Sequence, residues 1–397
     1  MSMHRSFLSI LAVLPLASAA AVTTPLAGNG DVPVYQATAI TAPGRYIVTR
    51  DISAQGNVIL IQSGGVTLDL NGHTLTSATG TGVVVDMTGA AITAGITVAN
   101  GRIAGGDSGI KGVNLPAVMT LVIEKVGIVM PMFDCIDVPG TGRVEVRGSN
   151  LRECGRDGIR RIGATGGVLH VDDTFITHVQ ANGILASGLD GVTVRRSTVR
   201  RFGLGLGPND EAGGVRLSFP GKLGLSVSES VMCDGSTKSA GLLLELGGAP
   251  APIDVTGSTI GGNGGSGIDV RQGAARITGN TIAGNLADGL RVDSAGIVTP
   301  TMISGNSLLD NTLNGADIRA GVARFNGNTV GGNLLDGVRV SGERALVESN
   351  FLEGNGGVGL RFLNGTGHAY RTNFLRGNTG GPIQDQFGNT DAGGNIP

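Results

Sequence analysis

The sequence of 397 residues predicts an all-β fold, a parallel β-solenoid, from three observations. Between Ile253 and Asp385 it repeats itself roughly every 22 residues. Its apolar residues alternate with polar ones, as at Leu290, Arg291 and Val292, instead of recurring at helical spacing. Nearly every unit contains a glycine turn. Because so short a unit cannot bury an apolar face alone, each unit must be one coil of a stack.

Two columns of asparagine keep the register of this repeat. Stacked strands lie about 4.8 Å apart, so a buried asparagine can bond the equivalent amide of the next coil, for about 1 kcal/mol net per bond. We therefore expect structural ladders. The first contains Asn280, Asn306, Asn328, Asn350 and Asn373; the second, five residues before an apolar strand residue, contains Asn263, Asn285, Asn311, Asn333, Asn355 and Asn378.

Smaller polar residues continue the first column toward the N-terminus. They are Ser149, Thr174, Ser197, Ser230 and Ser258. The spacing stretches from about 22 to 33 residues between Ser197 and Ser230, which predicts an inserted loop around Gly203 to Gly213. Insertions of this kind cluster on one face of a solenoid and often border a binding groove.

The composition restricts the classes of partner. The chain has 70 glycines, no tryptophan and a net charge of −2, and residues 141–222 carry 12 basic and 8 acidic groups. This modest basic zone favours an anionic partner weakly and is far from the field of a nucleic-acid binder. We expect a monomer whose partner is a polysaccharide and not a nucleic acid.

The N-terminal segment indicates export. Residues 1–20 read as a signal peptide, with Arg5, an apolar run from Phe7 to Leu16, and small residues before the cleavage point. No later run is long enough to span a bilayer. A secreted or periplasmic protein is expected. Three cysteines are too few and too odd in number for a disulfide framework. Cys154 lies five residues before Ile159, at the second-ladder position of its coil, where a small buried residue is expected.

Residues 42–52 (APGRYIVTRDI) and 66–75 (VTLDLNGHTL) resemble the first coils of secreted right-handed parallel β-helix repeat proteins of the pectin-lyase-like superfamily. The resemblance implies a single right-handed β-helix of roughly thirteen coils of about 22–30 residues. The expected organisation is a cap with the first strands at 21–60, the β-helix at 61–385, and a frayed polar tail at 386–397. The superfamily contains lyases, hydrolases, epimerases and non-catalytic proteins, so the resemblance does not select an activity.

Stacking converts equivalent positions into neighbours and groups charged residues near the middle of the chain. One outward column reads Glu145, His170, Thr193, and the next reads Arg147, Asp172, Arg195. We predict His170 as a catalytic base positioned by Asp172, and Arg195 as a partner of the substrate carboxylate. The predicted substrate-binding residues are Arg147, Glu145, Arg160 and Arg216.

The alternative is that these columns are solvated ion-pair ladders worth about 0 to 1 kcal/mol per pair. A C-terminal column of Asp269, Arg291, Asp317, Arg339 and Arg361 is read in that way. No cofactor or metal is predicted. Binding of a cation such as calcium is kept as an alternative, because the loop residues Asn209, Asp210 and Glu211 carry oxygen ligands.

Two functional hypotheses follow. One is an exported protein that binds and cleaves an acidic polysaccharide, as a lyase or a hydrolase. The other is a non-catalytic surface or matrix protein that binds glycan or protein. The triplet Phe133, Asp134, Cys135 resembles a polygalacturonase motif only in part. The Gly-His-Gly of that family and the Arg-x-Pro-x-x-Arg of pectate lyases are missing.

Overall fold

The computed structural model describes residues 30–89, 94–163, 166–207, 210–218, 224–245, 253–294, 299–365 and 367–397. Over these residues the chain forms 41 strands, all paired in parallel, in about 14 turns and without a helix. The predicted parallel β-helix is confirmed. The predicted signal peptide and the loop residue Asn209 lie outside the described residues.

Each coil passes through three parallel sheets, which we call A, B and C in the order in which the chain visits them. Strands β9 and β11 run from sheet A into sheet B, and β33 and β35 run from sheet C into sheet A. Sheet A contains β1 (Val32–Val34), β3 (Gly44–Val48), β6 (Val66–Asp69), β9 (Ile96–Gly105), β11 (Thr120–Val129), β13 (Arg143–Arg147), β16 (Val168–Asp172), β19 (Gly191–Arg195), β22 (Gly224–Ser228), β25 (Ile253–Thr256), β28 (Arg276–Thr278), β31 (Thr301–Ser304), β33 (Ala316–Asn326), β35 (Val338–Glu348), β38 (Ala369–Arg371) and β41 (Thr390–Asp391).

Sheets B and C complete the triangular coil. Besides parts of β9 and β11, sheet B contains β4 (Ile52–Ala54), β7 (Thr74–Ser77), β14 (Asn150–Arg152), β17 (Phe175–Thr177), β20 (Thr198–Arg200), β23 (Val231–Cys233), β26 (Thr259–Gly261), β29 (Thr281–Ala283), β32 (Ser307–Leu309), β34 (Thr329–Gly331), β36 (Phe351–Glu353) and β39 (Phe374–Arg376). Besides parts of β33 and β35, sheet C contains β2 (Thr38–Ile40), β5 (Ile59–Ile61), β8 (Thr81–Asp86), β10 (Ser108–Val113), β12 (Ile136–Asp137), β15 (Ile159–Ile162), β18 (Ile184–Ser187), β21 (Gly213–Ser218), β24 (Ala240–Glu245), β27 (Ile268–Arg271), β30 (Leu290–Ser294), β37 (Leu360–Phe362) and β40 (Ile383–Gln384).

The core fills the space between the three sheets. Alternate strand residues point inward and are buried, as Leu290 and Val292 are on either side of half-buried Arg291. A column of glycines precedes the strands of sheet C where the chain turns tightly. A Cβ at Gly315 would lie 2.3 Å from Cγ1 of Val330 and 2.7 Å from the carbonyl oxygen of Gly337. Gly315 therefore has no room for a side chain, since overpacking a dense core is destabilising.

Both asparagine ladders are present as hydrogen-bonded stacks. Oδ1 of Asn328 accepts hydrogen bonds from the backbone N–H of Asn306 at 2.9 Å and from its Nδ2 at 3.0 Å. The second ladder repeats this pattern, for example between Asn311 and Asn333. Ser197, Ser230 and Ser258 extend the first ladder as expected, each accepting a backbone N–H through Oγ.

The first ladder also continues toward the C-terminus. Asn395 accepts hydrogen bonds from the backbone N–H and Nδ2 of Asn373, both at 3.0 Å. Strand β41 pairs with β38, and Phe374 forms a bridge with Ile396. The expectation of a frayed tail at 386–397 is therefore wrong: these residues complete the last part of the stack.

A disulfide joins Cys135 and Cys154, which corrects the expectation that the cysteines are unpaired. Cys135 occupies the position of the glycine column, and Cys154 occupies that of the second ladder, one coil later. In later coils these two positions are occupied by a glycine and an asparagine that are in contact. A Cβ at Gly289, for example, would lie 2.6 Å from Nδ2 of Asn311. The bridge thus spans two neighbouring positions of the stack. The remaining cysteine, Cys233, is half-buried.

His368 is a buried histidine in the last coils, and it makes stability there depend on pH. Its Nδ1 accepts the backbone N–H of Ala345 at 3.0 Å, and its Nε2 lies 2.9 Å from the carbonyl oxygen of Asn364. Because Nδ1 accepts a hydrogen bond, the imidazole ring is neutral and its proton is on Nε2, which donates to the Asn364 carbonyl. Burial lowers the pKa of His368 below its ordinary value.

We expect the last coils to loosen as the pH falls below about 6.5, the ordinary pKa of histidine. A base whose pKa is lower in the folded state binds protons first in the unfolded chain, so stability is lost between the ordinary pKa and the folded one. Hydrogen exchange at the Ala345 amide measures this effect. His368→Leu should remove the local pH dependence, whereas His73→Leu, near the other end of the stack, should preserve it. Equal acid sensitivity of the Ala345 amide in both variants would contradict the assignment.

Candidate functional site

Sheet A brings together most of the predicted catalytic patch. Glu145 stacks on His170 and His170 on Thr193, while Arg147 stacks on Asp172 and Asp172 on Arg195, in the expected register. The carboxylate of Glu145 is buried and bound by Arg147 and by Nε of Arg143 at 2.5 Å.

The contact expected between His170 and Asp172 is not formed. The carboxylate of Asp172 instead accepts hydrogen bonds from Nε of Arg195 at 3.2 Å and from Nη2 of Arg196 at 2.7 Å. Burial lowers the pKa of His170, and the nearby positive charges of Arg143 and Arg147 act in the same direction. The ring is therefore neutral near pH 7, but the acid predicted to orient it is engaged by two arginines.

Arg160 and Arg216 lie on sheet C, not on sheet A. Arg160 forms an ion pair with Asp137 at 3.5 Å, and Arg216 binds Glu245 through Nε at 3.1 Å and Nη2 at 3.3 Å. The seven predicted site residues are thus divided between two faces of the solenoid. They do not form one site.

The inserted loop between β20 and β21 covers sheet C. The carboxylate of Glu211 in this loop accepts hydrogen bonds from Nη1 and Nη2 of Arg271 at 2.7 and 3.1 Å. The backbone carbonyl of Glu211 accepts a bond from Nη1 of Arg216 at 3.1 Å. The loop therefore borders Arg216 and Arg271, whereas Arg195 lies on the other face.

A surface pocket of about 170 Å³ opens beside this loop on sheet C. Arg271 lies between two carboxylates, because Asp269 accepts hydrogen bonds from its Nε at 2.9 Å and from its Nη2 at 2.6 Å while Glu211 binds the other side. The hydrogen bond from Arg271 lowers the pKa of Glu211, which holds this carboxyl ionised. The lining residues are Glu211, Lys238, Ala240, Leu243, Gly264, Gly265, Ser266, Asp269, Arg271, Ala287 and Arg291.

Two positively charged residues of the pocket, Lys238 and Arg291, have no acidic partner in the described part of the chain: neither has a carboxylate oxygen within 4.0 Å there. The lining carries two carboxylates and three cations, hence a formal charge of +1. One further anionic group would neutralise it.

The column from Asp269 to Arg361 is not the exposed ion-pair ladder that the sequence predicted. Asp269 and Asp317 are buried, and each is bound by the arginine two residues later on its own strand, Arg271 or Arg319. Within the described part of the chain, Oδ1 of each aspartate is buried and has no hydrogen-bond partner. Register places Arg291 between the two aspartates, yet within the described chain neither reaches it within 4.0 Å.

Of the three loop residues predicted as a possible cation site, Asp210 and Glu211 are described by the structure and both are already engaged. Asp210 Oδ2 accepts the backbone N–H of Gly207 at 3.1 Å, and Glu211 is engaged by Arg271. The described residues contain no group of three His, Cys, Asp or Glu side chains arranged to hold a metal ion. They also contain no helix long and apolar enough to cross a membrane.

Comparison with known proteins identifies the family. A family model described as the right-handed β-helix region matches residues 134–318 and 240–390, together more than half of the chain. The chain belongs to the right-handed β-helix family. A search of curated proteins gave no match.

Solved right-handed β-helix structures are similar over most of the chain. The A-module of mannuronan C-5 epimerase AlgE6 from Azotobacter vinelandii is 14% identical, with 93% of this chain and 91% of that chain covered and a TM-score of 0.48. Pectate lyase Pel9A is 15% identical, with 84% of this chain and 71% of that chain covered and a TM-score of 0.32. Tailspike protein 3 of bacteriophage CBA120 is 13% identical, with 91% of this chain and 56% of that chain covered and a TM-score of 0.43. Likeness at this level concerns the fold alone.

The residues of the pocket were missed at the sequence level, apart from Glu211 and the column that contains Asp269 and Arg291. A signal was present: the outward positions of consecutive sheet C strands read Asp-x-Arg at 269–271, Arg-x-Asp at 291–293 and Asp-x-Arg at 317–319. Asp269 and Asp317 are each paired with the arginine two residues later on their own strand. Among the described residues, Arg291 on the intervening strand has no carboxylate oxygen within 4.0 Å, although Asp293 follows it two residues later.

Proposed function

We propose that this protein binds an acidic polysaccharide outside the cytoplasm, in the groove of sheet C beside the loop at 201–212. The observation that carries the proposal is the pocket lined by Lys238 and Arg291, neither of which has a carboxylate oxygen within 4.0 Å among the described residues. Guanidinium and ammonium groups form strong, charge-assisted hydrogen bonds with carboxylates and sulfates.

The other polar groups of the pocket suit sugar hydroxyls. A hydroxyl both donates and accepts hydrogen bonds. The ionised Glu211 offers acceptor oxygens, and Ser266 offers a hydroxyl of its own. The Glu211 carboxylate is held in place by Arg271, so binding orders few additional side chains.

The electrostatics favour binding over hydrolysis in this pocket. A glycosidase needs one carboxyl with a raised pKa that protonates the leaving oxygen. The pKa of Glu211 is shifted in the opposite direction. We therefore propose a non-catalytic binding role for this groove.

The test is a binding titration against polyuronates, sulfated glycans and a neutral glucan, by calorimetry. Arg291→Ala is expected to weaken binding of the acidic glycan roughly tenfold or more, because a charge-assisted bond is worth about 1.5 to 3 kcal/mol. Arg324→Ala is the matched control, since Arg324 is exposed on sheet A and has no acidic partner within 4.0 Å among the described residues. Equal loss in both variants, or no binding of any acidic glycan, would overturn the proposal.

A catalytic role of the sheet A patch is a second candidate, favoured by the lowered pKa of His170. A neutral imidazole next to Arg147 is suited to proton abstraction beside a carboxylate. Ultraviolet absorbance of unsaturated sugar ends measures lyase activity on the same glycans. His170→Ala should abolish such activity in a folded protein, and activity at the level of the unmodified chain would remove His170 as the base.

A further inference from the structure

The alternation of charges along sheet C indicates which spacing of acidic groups on a glycan the sheet would bind. The outward column of this sheet runs Asp269, Arg291, Asp317, Arg339 over four consecutive coils, in parallel register. Since strands are about 4.8 Å apart, the backbones at Arg291 and Arg339 are separated by about 10 Å along the solenoid axis.

The aspartates and the arginines of this column differ in how they are satisfied. Asp269 and Asp317 are buried and bound sideways by Arg271 and Arg319. Arg291 and Arg339 are half-buried and, among the described residues, have no carboxylate oxygen within 4.0 Å. Arg361, the next residue of the column, is paired with Asp336 at 2.7 Å. Among the described residues, the guanidiniums of this column without a carboxylate partner are therefore those of Arg291 and Arg339, with the coil of Asp317 between them.

We propose that Arg291 and Arg339 bind the acidic groups of two sugars of the same chain, with one intervening sugar above Asp317. This inference rests on the proposed function and specifies its ligand. A carboxylate or sulfate directed at the intervening coil finds no free cation in this column, because the residue there is Asp317, whose charge is already balanced by Arg319. A hydroxyl at that coil needs no counter-charge. The ligand lies parallel to the solenoid axis and directs an acidic group toward the protein at every second sugar.

Two kinds of glycan have this property. One is a copolymer in which acidic and neutral sugars alternate. The other is an acidic homopolymer in an extended two-fold conformation, where successive acidic groups point to opposite sides. Both present the same chemistry to the column. Asp293 is on the same strand as Arg291 but belongs to the neighbouring column, between Arg271 and Arg319, so it does not lie in the path of the acidic groups.

The test is a length series of acidic oligosaccharides, from one to six sugars, titrated into the full chain. We expect a rise in affinity of roughly tenfold between the disaccharide and the trisaccharide, because the trisaccharide is the first to reach both arginines. Arg339→Ala should remove this rise and weaken the disaccharide by no more than about twofold, the statistical loss of one of two equivalent sites. Arg324→Ala should leave the whole series unchanged, and circular dichroism verifies that each variant is folded.

The outcomes separate the two proposals. If no oligosaccharide binds, both the proposed function and this inference fail. If binding depends on Arg291 but rises smoothly with length and is indifferent to Arg339→Ala, only the inference fails. Titration of alternating and homopolymeric ligands, each in carboxylated and sulfated form, then identifies which glycan and which acidic group bind. A neutral oligosaccharide that binds as well as the acidic ones would also overturn the inference.

Discussion

Replacing Asn328 with alanine is expected to lower the free energy of unfolding by about 2 to 6 kcal/mol. Oδ1 of Asn328 accepts the backbone N–H of Asn306, and its Nδ2 donates to the carbonyl oxygen of Ile303 at 3.0 Å. Alanine leaves both groups in the core without that partner, and each unsatisfied buried group costs about 1 to 3 kcal/mol. Chemical denaturation measures the total, and hydrogen exchange at the Asn306 amide locates it.

The matched control is Asn326→Ala in the same coil. Asn326 is exposed at the end of β33, so its replacement is expected to change stability by less than about 0.5 kcal/mol. Because a solenoid is stabilised by contacts between adjacent coils, the loss in Asn328→Ala should be concentrated in the coils next to it. Equal stability of the two variants would mean that the ladder contributes nothing measurable.

The fold was predictable because its determinants recur along the chain. A period of about 22 residues assigns the same environment to each equivalent position, so the asparagine ladders and the sheet A columns followed from alignment alone. Residues 386–397 were misjudged since polar, glycine-rich composition outweighed one periodic asparagine, Asn395. Its spacing of 22 residues from Asn373 was the correct signal.

The candidate site was less predictable, because it depends on where the chain departs from the repeat. Register predicted that Asp172 stacks on Arg195, but not that Arg196, in the left-handed turn, would take the same carboxylate. The position of the loop at 203–213 was predicted, whereas the face it covers follows from the contact between Glu211 and Arg271, which are 60 residues apart. No period relates these two residues.

A third polar ladder was missed because its members differ from coil to coil. Oδ1 of Asp157 accepts the backbone N–H of Asn182 at 2.8 Å, and Oδ1 of Asp288 accepts that of Asn314 at 3.1 Å. Arg161 was also missed as an inward residue: it is fully buried, donates to the carbonyl oxygens of Val138 and Gly142, and burial lowers its pKa to about 10. A pattern of apolar residues cannot predict a charged residue in the core.

The second large effect is expected from removal of the disulfide. Replacing both Cys135 and Cys154 with serine should lower the free energy of unfolding by about 3 kcal/mol, because the bridge closes a loop between residues 19 apart and restricts the unfolded chain. Cys233→Ser, which leaves the bridge intact, is the control. Denaturation with and without a thiol reductant measures the difference: the reductant should destabilise the Cys233→Ser protein and leave the double variant unchanged.

The position of the bridge has a physical reason in the stack. In the second ladder, Oδ1 of each asparagine accepts the backbone N–H of the equivalent residue one coil earlier, as Asn285 does from Asn263 at 3.3 Å. The residue one coil before Cys154 is Pro131, which has no N–H, so an asparagine at 154 would lack this donor. A covalent bond to Cys135 links the two coils where the ladder cannot, and it persists in the oxidising compartments that the predicted export implies. Thiol titration of the denatured, unreduced protein should therefore find one reactive cysteine, Cys233; three reactive thiols would show that the coils are not linked.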